Sequence, residues 1–427
     1  MSFILLGILN SSAGASWGGV YYLSSLESVS TFFGTNVVTD SSSNVYSLGW
    51  ATGQGAGGYD LVIVKHDAAG VIQWQRNLGG TSTERGNGIA LDSANNVYVT
   101  GYTQTSPALQ DWLLVKYNSS GVLQWQKRLD ATNASGAAAI AIDSSDNVYL
   151  TGNIDTGGSY QLKVAKFNSS GVVQWQKLLG DSGTESGEGI ALDSSGNLYV
   201  TGWGASGTGY DIIIAKYNSS GTLQWQRILT GASAENGRGV AVDSSGGVYI
   251  IGETSSDGAG ATDFIIAKYN SSGTLQWQRN LGNGNGQVGN AIATDSSDNV
   301  YVTGTNDGDW LIAKYNSSGT IQWQRSFEIS SSANGIHIDA NDILYVTGRT
   351  RNKYQVIFKL PNDGSLTDTY TLDGVSTVYS VSSLTAQTSA LTSSTSGYST
   401  STDSLSNVTT SLTDQAISLT QHFAGIG

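Results

Sequence analysis

Residues 216–227 read Lys216-Tyr217-Asn218-Ser219-Ser220-Gly221-Thr222-Leu223-Gln224-Trp225-Gln226-Arg227. The phrase returns along the chain with small changes. It sets Trp74, Trp125, Trp175, Trp225, Trp277 and Trp323 at intervals of 51, 50, 50, 52 and 46 residues. A second phrase, Ala-x-Asp-Ser-Ser-x-Asn-Val-Tyr-Val-Thr-Gly, alternates with it and carries Asp40, Asp92, Asp143, Asp193, Asp243, Asp295 and Asp339. A fixed period of ~50 residues marks a repeat architecture and decides the fold before any single residue does.

Each period divides into four short strands. In one of them these are Gly239–Asp243, Gly247–Gly252, Asp263–Lys268 and Thr274–Arg279. All are β-branched or aromatic runs bounded by Gly, Asn, Asp and Ser. In Gln-Trp-Gln the ring faces one side and both amides the other, so the repeated Trp is expected to pack between neighbouring units. Asp-Ser-Ser-Gly-Asn and Asn-Ser-Ser-Gly read as hairpin turns, because Asp and Asn bond their own backbone and Gly accepts a positive φ.

Seven sets of four antiparallel strands with no helix between them give an all-β, seven-bladed β-propeller. The phrases resemble the seven-bladed β-propeller repeat family of bacterial and phage surface proteins and, more distantly, NHL repeats. The resemblance covers residues 19–372 and implies a fold without implying an activity. Two strands compete to close the ring. Gly19–Leu26 places Tyr22 18 residues before Asp40, the usual Trp-to-Asp spacing. Ser365–Leu372 follows the last third strand. The first is favoured, because Asp368 in the Trp slot would bury a carboxylate without a partner.

Copies differ in two of their four loop sets. The first-to-second and third-to-fourth turns are nearly invariant. The stretches 79–87, 130–136 and 283–290, and 102–110, 203–209 and 305–308, vary in length and chemistry. Alternate loops of an up-and-down blade leave opposite faces, so the variable loops share one face, and loops on a rigid scaffold carry function. Trp50, Tyr102, Trp203, Glu253 and Arg349 occupy one slot there, just after the second strand, and are the candidate binding residues. Aromatic rings beside polar loops suit sugars or protein partners; the other reading is that these residues only cap strand ends.

Residues 373–427 are rich in Ser and Thr. Leu384, Leu391, Tyr398, Leu405, Leu412 and Leu419 nevertheless fall seven apart, with Val381, Thr388, Thr395, Thr402, Thr409, Ala416 and Phe423 at the companion position. This a/d pattern predicts a C-terminal α-helical coiled coil. Val381, Leu384, Leu391, Tyr398, Leu405, Leu412, Leu419 and Phe423 would form its seam. Ser and Thr are poor helix formers, so the helix would need partner copies. Three are expected, since the pattern resembles trimeric phage fibre coils. A linker is the alternative.

The domains are therefore 1–18, an apolar docking peptide; 19–372, the propeller; and 373–427, the coil. The opening Met1–Asn10 resembles the start of marine phage virion proteins. Ala13-Gly14-Ala15 resembles a signal-peptidase site, but no Lys or Arg precedes the short apolar run. No run reaches the length of a membrane span. The net charge is −13 with 20 Lys plus Arg, which argues against nucleic acid as a partner.

The chain has no Cys, so thiol catalysis and disulfides are excluded. His66, His337 and His422 lack metal-ligand spacing, and no metal or cofactor is expected. Gly53–Gly58 joins two strands and makes a poor phosphate cradle. The turns at Asp143 and Asp295 resemble calcium loops but lack the later bidentate Glu. Asn118, Asn168, Asn218, Asn270 and Asn316 sit in sequons at hairpin tips. The expected role is a non-enzymatic structural and binding protein of a phage virion, a tail fibre or other appendage. It would dock other virion proteins through its N-terminus and show the variable face to host-surface glycan or protein. The alternative is a secreted or cell-surface bacterial propeller. A polysaccharide-degrading enzyme would have to use Glu84, Glu185 and Glu235.

Overall fold

The repeat phrase folds as the third strand, tight turn and fourth strand of a blade. The computed structural model describes residues 21–27, 32–52, 57–106, 109–129, 134–180, 183–206, 209–257, 261–329, 331–350, 355–365, 368–372, 375–382, 385–388, 392–394, 399–402, 407–409, 413–416 and 420–422. Blade 1 comprises Phe32–Thr39, Val45–Thr52, Tyr59–His66 and Ile72–Gly79. Blade 2 comprises Glu84–Leu91, Val97–Ser106, Leu109–Tyr117 and Leu123–Leu129. Blade 3 comprises Ser135–Ile142, Val148–Asp155, Tyr160–Phe167 and Val173–Gly180, and blade 4 Glu185–Leu192, Leu198–Ser206, Gly209–Tyr217 and Leu223–Thr230. Blade 5 comprises Glu235–Val242, Val248–Thr254, Asp263–Tyr269 and Leu275–Gly282, and blade 6 Gln287–Thr294, Val300–Asn306, Asp309–Tyr315 and Ile321–Phe327. Blade 7 takes Ala333–Ile338, Leu344–Arg349 and Gln355–Leu360 from the end of the repeats and Tyr21–Glu27 from the start of the chain.

The ring is thus closed by the N-terminal strand, which pairs antiparallel with Gln355–Leu360. Asp368–Leu372, the rival segment, instead forms a hairpin with Val375–Val381 on blade 6. The register corrects the expected alignment by one residue. Lys65 and Lys116 face Trp74 and Trp125, and the equivalent Lys359 faces Tyr21 rather than Tyr22.

Six joints between blades share one device. The Trp225 indole N–H donates to the carbonyl of Ser219's counterpart in the next blade, Ser271, at 3.0 Å. Its ring covers Gly273, whose φ is +77°. Trp74, Trp125, Trp175, Trp277 and Trp323 lie in the same way against Gly121, Gly171, Gly221, Gly319 and Gly364. The repeated Trp therefore packs between blades, as its pattern predicts. Only Gly accepts the position, because a Cβ on Gly273 would lie 2.7 Å from the Trp225 ring and the left-handed φ strains other residues.

The tail departs from expectation. Among the described residues there is no helix, and those of the tail are short strands. Each lies antiparallel on the outer edge of one blade. Val375–Val381 pairs with blade 6, Thr385–Thr388 with blade 5, Thr392–Ser394 with blade 4 and Ser399–Thr402 with blade 3. Asn407–Thr409 pairs with blade 2, Thr413–Ala416 with blade 1 and Thr420–His422 with Tyr21–Glu27 of blade 7. The segments visit the blades in reverse order and finish beside the strand that closes the ring.

The seven-residue period is therefore one step from blade to blade, and the coiled coil expected over 373–427 is corrected. Physics favours the strand. Seven residues advance ~10 Å as a helix but ~23 Å extended, and Thr-rich sequence prefers strand to helix. The outer edge of each blade offers unpaired N–H and C=O groups that a further strand satisfies. Of the expected seam, Val381 lies in the blade 6 strand. Leu384, Leu391, Tyr398, Leu405, Leu412, Leu419 and Phe423 lie outside the described residues, as does the 1–18 segment.

Candidate functional site

The two faces of the ring use their polar groups differently. On the face of the invariant turns, side chains are consumed by the turns themselves. Asp243 Oδ1 accepts the N–H groups of Ser245 and Gly247 at 3.0 and 2.6 Å. Its Oδ2 accepts the Tyr249 hydroxyl at 2.9 Å and meets Lys268 Nζ at 3.1 Å. Burial pushes this carboxyl up, but those bonds outweigh it and hold it below the ordinary range. Lys268 also donates to the Ser317 carbonyl of blade 6. Asp143 and Asp295, the turns that resemble calcium loops, are engaged likewise by turn N–H groups, Asn147 or Asn299, and Tyr149 or Tyr301. Asn218 Oδ1 accepts from Ser220 and Thr222 N–H groups, so the sequon asparagine is a turn residue.

The opposite face carries a different residue in nearly every blade. Trp50, Tyr102, Trp203, Glu253 and Arg349 lie within the second strands rather than just after them, Arg349 as the last residue of its strand. Trp50 pairs across the first strand with Phe33, Tyr102 with Arg85, Trp203 with Ser186 and Glu253 with Asn236. The expected residues fall into two patches. In blades 7, 1 and 2, Arg349 lies 4.7 Å over Phe33, and Phe33 stacks on Trp50 at 3.8 Å. Arg85 lies 4.3 Å over Trp50, 4.7 Å over Tyr59 and 5.9 Å over Tyr102. Arg349 Nε also donates to Ser331 Oγ at 3.1 Å.

The second patch spans blades 3 to 5. Trp203 Nε1 and Ser186 Oγ both donate to Glu188 Oε1, at 3.1 and 2.9 Å. Asn153 reaches Ser186. Glu253 Oε1 accepts from Asn236 and pairs with Arg238, each at 2.9 Å. Burial raises the Glu188 carboxyl, partly offset by Ser186, Arg238 and Trp203. Tyr210 packs edge-on against Trp203 and is 41% exposed. Tyr160, at the equivalent place in blade 3, is 37% exposed.

Sequence reasoning missed Phe33, Tyr59, Arg85, Glu188, Asn236 and Arg238. A signal existed. Every innermost strand has a register shift around the fifth residue before its Asp, occupied by Thr35, Asn87, Ala138, Glu188, Arg238, Asn290 and Asn334. A bulge re-aims the extra side chain. Asn87, Asn290, Asn334 and Thr35 use it to reach a carbonyl of the next blade. Glu188 and Arg238 turn to the second patch instead.

Glu84, Glu185 and Glu235 are buried at the start of their strands. Glu84 accepts from Gly80 N–H and Thr103 Oγ1, and Glu235 from Gly231 N–H and Thr254 Oγ1. Burial raises both. His66 is buried and His337 meets Thr39 Oγ1 across blades at 2.9 Å.

Fold and site together define a seven-bladed β-propeller with one uniform face and one varied face. The comparisons with known proteins agree on this class. Residues 73–107, 174–210 and 224–258 match the Beta-propeller repeat family, and 244–275 match a beta-propeller domain of unknown function. The matched repeats are thus of the beta-propeller repeat kind. One curated relative, an uncharacterized WD repeat-containing protein of Acanthamoeba polyphaga mimivirus, is 27% identical over 116 residues. That match covers 22% of this chain and 8% of the relative's length. Among solved structures, the RRP9 WD40 repeats align with a TM-score of 0.56 at 9% identity, over 80% of this chain and 97% of that one. The polysaccharide lyase Uly1 aligns with a TM-score of 0.51 at 9% identity, over 77% and 90%. At such identity the likeness is one of fold.

Proposed function

We propose that this chain is a non-enzymatic binding protein that holds its ligand on the varied face, carried on a phage particle as a tail fibre or other appendage. The observation that carries the binding role is the contrast between faces. Turn side chains on one face are spent on each other, while the other presents aromatic, cationic and acidic side chains that change from blade to blade. Recognition needs that kind of variety on a rigid frame. The non-enzymatic reading is supported by Glu84 and Glu235, which are buried and engaged by loop N–H and hydroxyl groups. The virion setting is supported by the resemblance of Met1–Asn10 to phage virion proteins and by a viral relative with related repeats.

Two assays on the full chain test this. Mass spectrometry of purified particles should find the protein as a component with Met1–Ala15 intact. Recovery from the medium, cleaved after Ala15, would overturn the virion setting in favour of a secreted bacterial propeller. Polysaccharides incubated with the protein should be retained without shorter products, and release of oligosaccharides would overturn the non-enzymatic reading.

A further inference from the structure

The cations of the varied face are not equivalent. Arg238 is neutralised by Glu253, and Arg349 donates to Ser331. Arg85 differs from both. Its guanidinium sits among Trp50, Tyr59 and Tyr102, and its buried Nε has no hydrogen-bond partner. Among the described residues no carboxylate pairs with it. Part-buried Arg76, Arg227 and Arg279 on the other face also lack a carboxylate, but each donates to a carbonyl of the next blade, whereas the Nε of Arg85 meets no acceptor.

The aromatic box explains how the cation is tolerated without a carboxylate. Ring faces attract a guanidinium and fix its plane. Phe33 backs Trp50, and Arg349 backs Phe33, so the box is stiffened from behind. A guanidinium held in this way, with donors unmatched by the protein, is preorganised for a planar or tetrahedral oxyanion, which it grips with two parallel N–H bonds. Tyr160 and Tyr210 expose ring surface on the same face in blades 3 and 4, and exposed rings suit the C–H face of a sugar.

We propose that Arg85 is the anion-binding residue of a subsite for an acidic glycan. It takes the carboxylate or sulfate of a sugar while Trp50, Tyr59 and Tyr102 hold it in place. This rests on the reading of the varied face as the binding face, and it adds the charge class of the ligand. An acidic peptide offers the same carboxylate without the ring surface that Tyr160 and Tyr210 fit.

The test measures binding of the full chain to polygalacturonate, dextran sulfate, neutral dextran and polyglutamate at low salt. Either acidic polysaccharide should bind, and polyglutamate should not. Arg85→Ala should weaken binding roughly tenfold or more. Arg85→Lys keeps the charge, loses the fork, and should also weaken it. Thermal melts check that both variants fold, and the lysine variant serves alone if the alanine variant does not. Wild-type binding by Arg85→Lys or Arg85→Ala overturns the proposal, as does binding to neither acidic polysaccharide. Equal binding of polyglutamate overturns the glycan class. A neutral glycan bound equally by all three proteins leaves the binding face standing and removes the anion subsite.

Discussion

Asn334 Nδ2 lies 2.8 Å from the carbonyl oxygen of Gly34 and ties the last blade of repeats to the first. The same bond joins Asn87 to Ala137 within the ring. The setting differs. The joint of blades 2 and 3 is filled by nine fully or nearly buried residues around Trp112 and Phe167. At the seam, the described apolar residues divide into two small clusters, Val37, Val45, Tyr345 and Ile357, and Phe32, Ala51, Val62 and Val64. Polar contacts supplement them, Ser43 to Asp339, Thr39 to His337 and Gln355 to the Leu48 carbonyl. Asn334→Ala should therefore cost about 1–2 kcal/mol in denaturant unfolding, and amide exchange should accelerate first in blades 1 and 7. Asn87→Ala should have a similar cost but no such local opening.

His66 gives the fold a pH dependence. It is fully buried, in the slot where blades 2 to 6 carry Tyr or Phe and blade 7 carries Leu360. Burial lowers its pKa to about 4 from 6.5. Between those values the unfolded chain takes up a proton that the folded chain refuses. Stability from this group is complete above pH ~6.5 and falls as pH drops towards ~4, by roughly 3 kcal/mol in all. Glu84 and Glu235, raised by burial, oppose the trend, so the comparison must be with a variant. His66→Phe, which copies Phe167, should make the wild-type loss between pH 6.5 and 4 shallower in urea titrations without abolishing it, because burial also lowers His337 to about 4. Parallel pH curves would contradict this.

The Trp–Gly joint predicts intolerance at a surface turn. Gly273→Ala must place a methyl 2.7 Å from the Trp225 ring at a φ of +77°, and should cost about 1–3 kcal/mol. Gly196→Ala has nearly the same φ, +75°, but its nearest neighbour, Ser219 Cβ, is 4.0 Å away. It should cost less, and the difference reports the packing against Trp. Equal melting temperatures for the two variants would count against the joint.

The tail strands predict how a shortened chain behaves. Ending the chain at Leu372 leaves the blades intact but uncovers their outer edges. The product should remain folded, lose no helical signal in far-ultraviolet circular dichroism, and self-associate more than the full chain. Exchange should rise in Leu223–Thr230 and its counterparts. Loss of a helical signal with the tail, or unchanged exchange at these strands, would contradict the arrangement.

The fold was legible because its signals repeat. A Trp, an Asp and a turn Gly recur in register, and period-two patterning lies between them. The tail was misread because a seven-residue period has two physical sources. Helix seams repeat at seven because of turn geometry, and here seven is the step between blades. Sequence spacing alone does not separate them, whereas the Thr content favoured strand. The candidate site was half legible. Trp50, Tyr102, Trp203, Glu253 and Arg349 were found because they follow an invariant Gly. Arg85 and Glu188 were not, because each matters through a partner on another strand, and only the register of the innermost strands brings them together.

The most direct measurement compares the two faces in the same binding assay. Full-length protein is applied to a broad array of host-type glycans, neutral and acidic. One variant carries Trp203→Ala and Tyr210→Ala on the varied face. The other carries Val122→Lys and Val172→Lys at the exposed tips of the uniform face, where these side chains are 53% and 54% exposed. Binding lost in the first and kept in the second is the predicted result. Binding kept in the first and lost in the second would place the ligand on the uniform face and contradict the account.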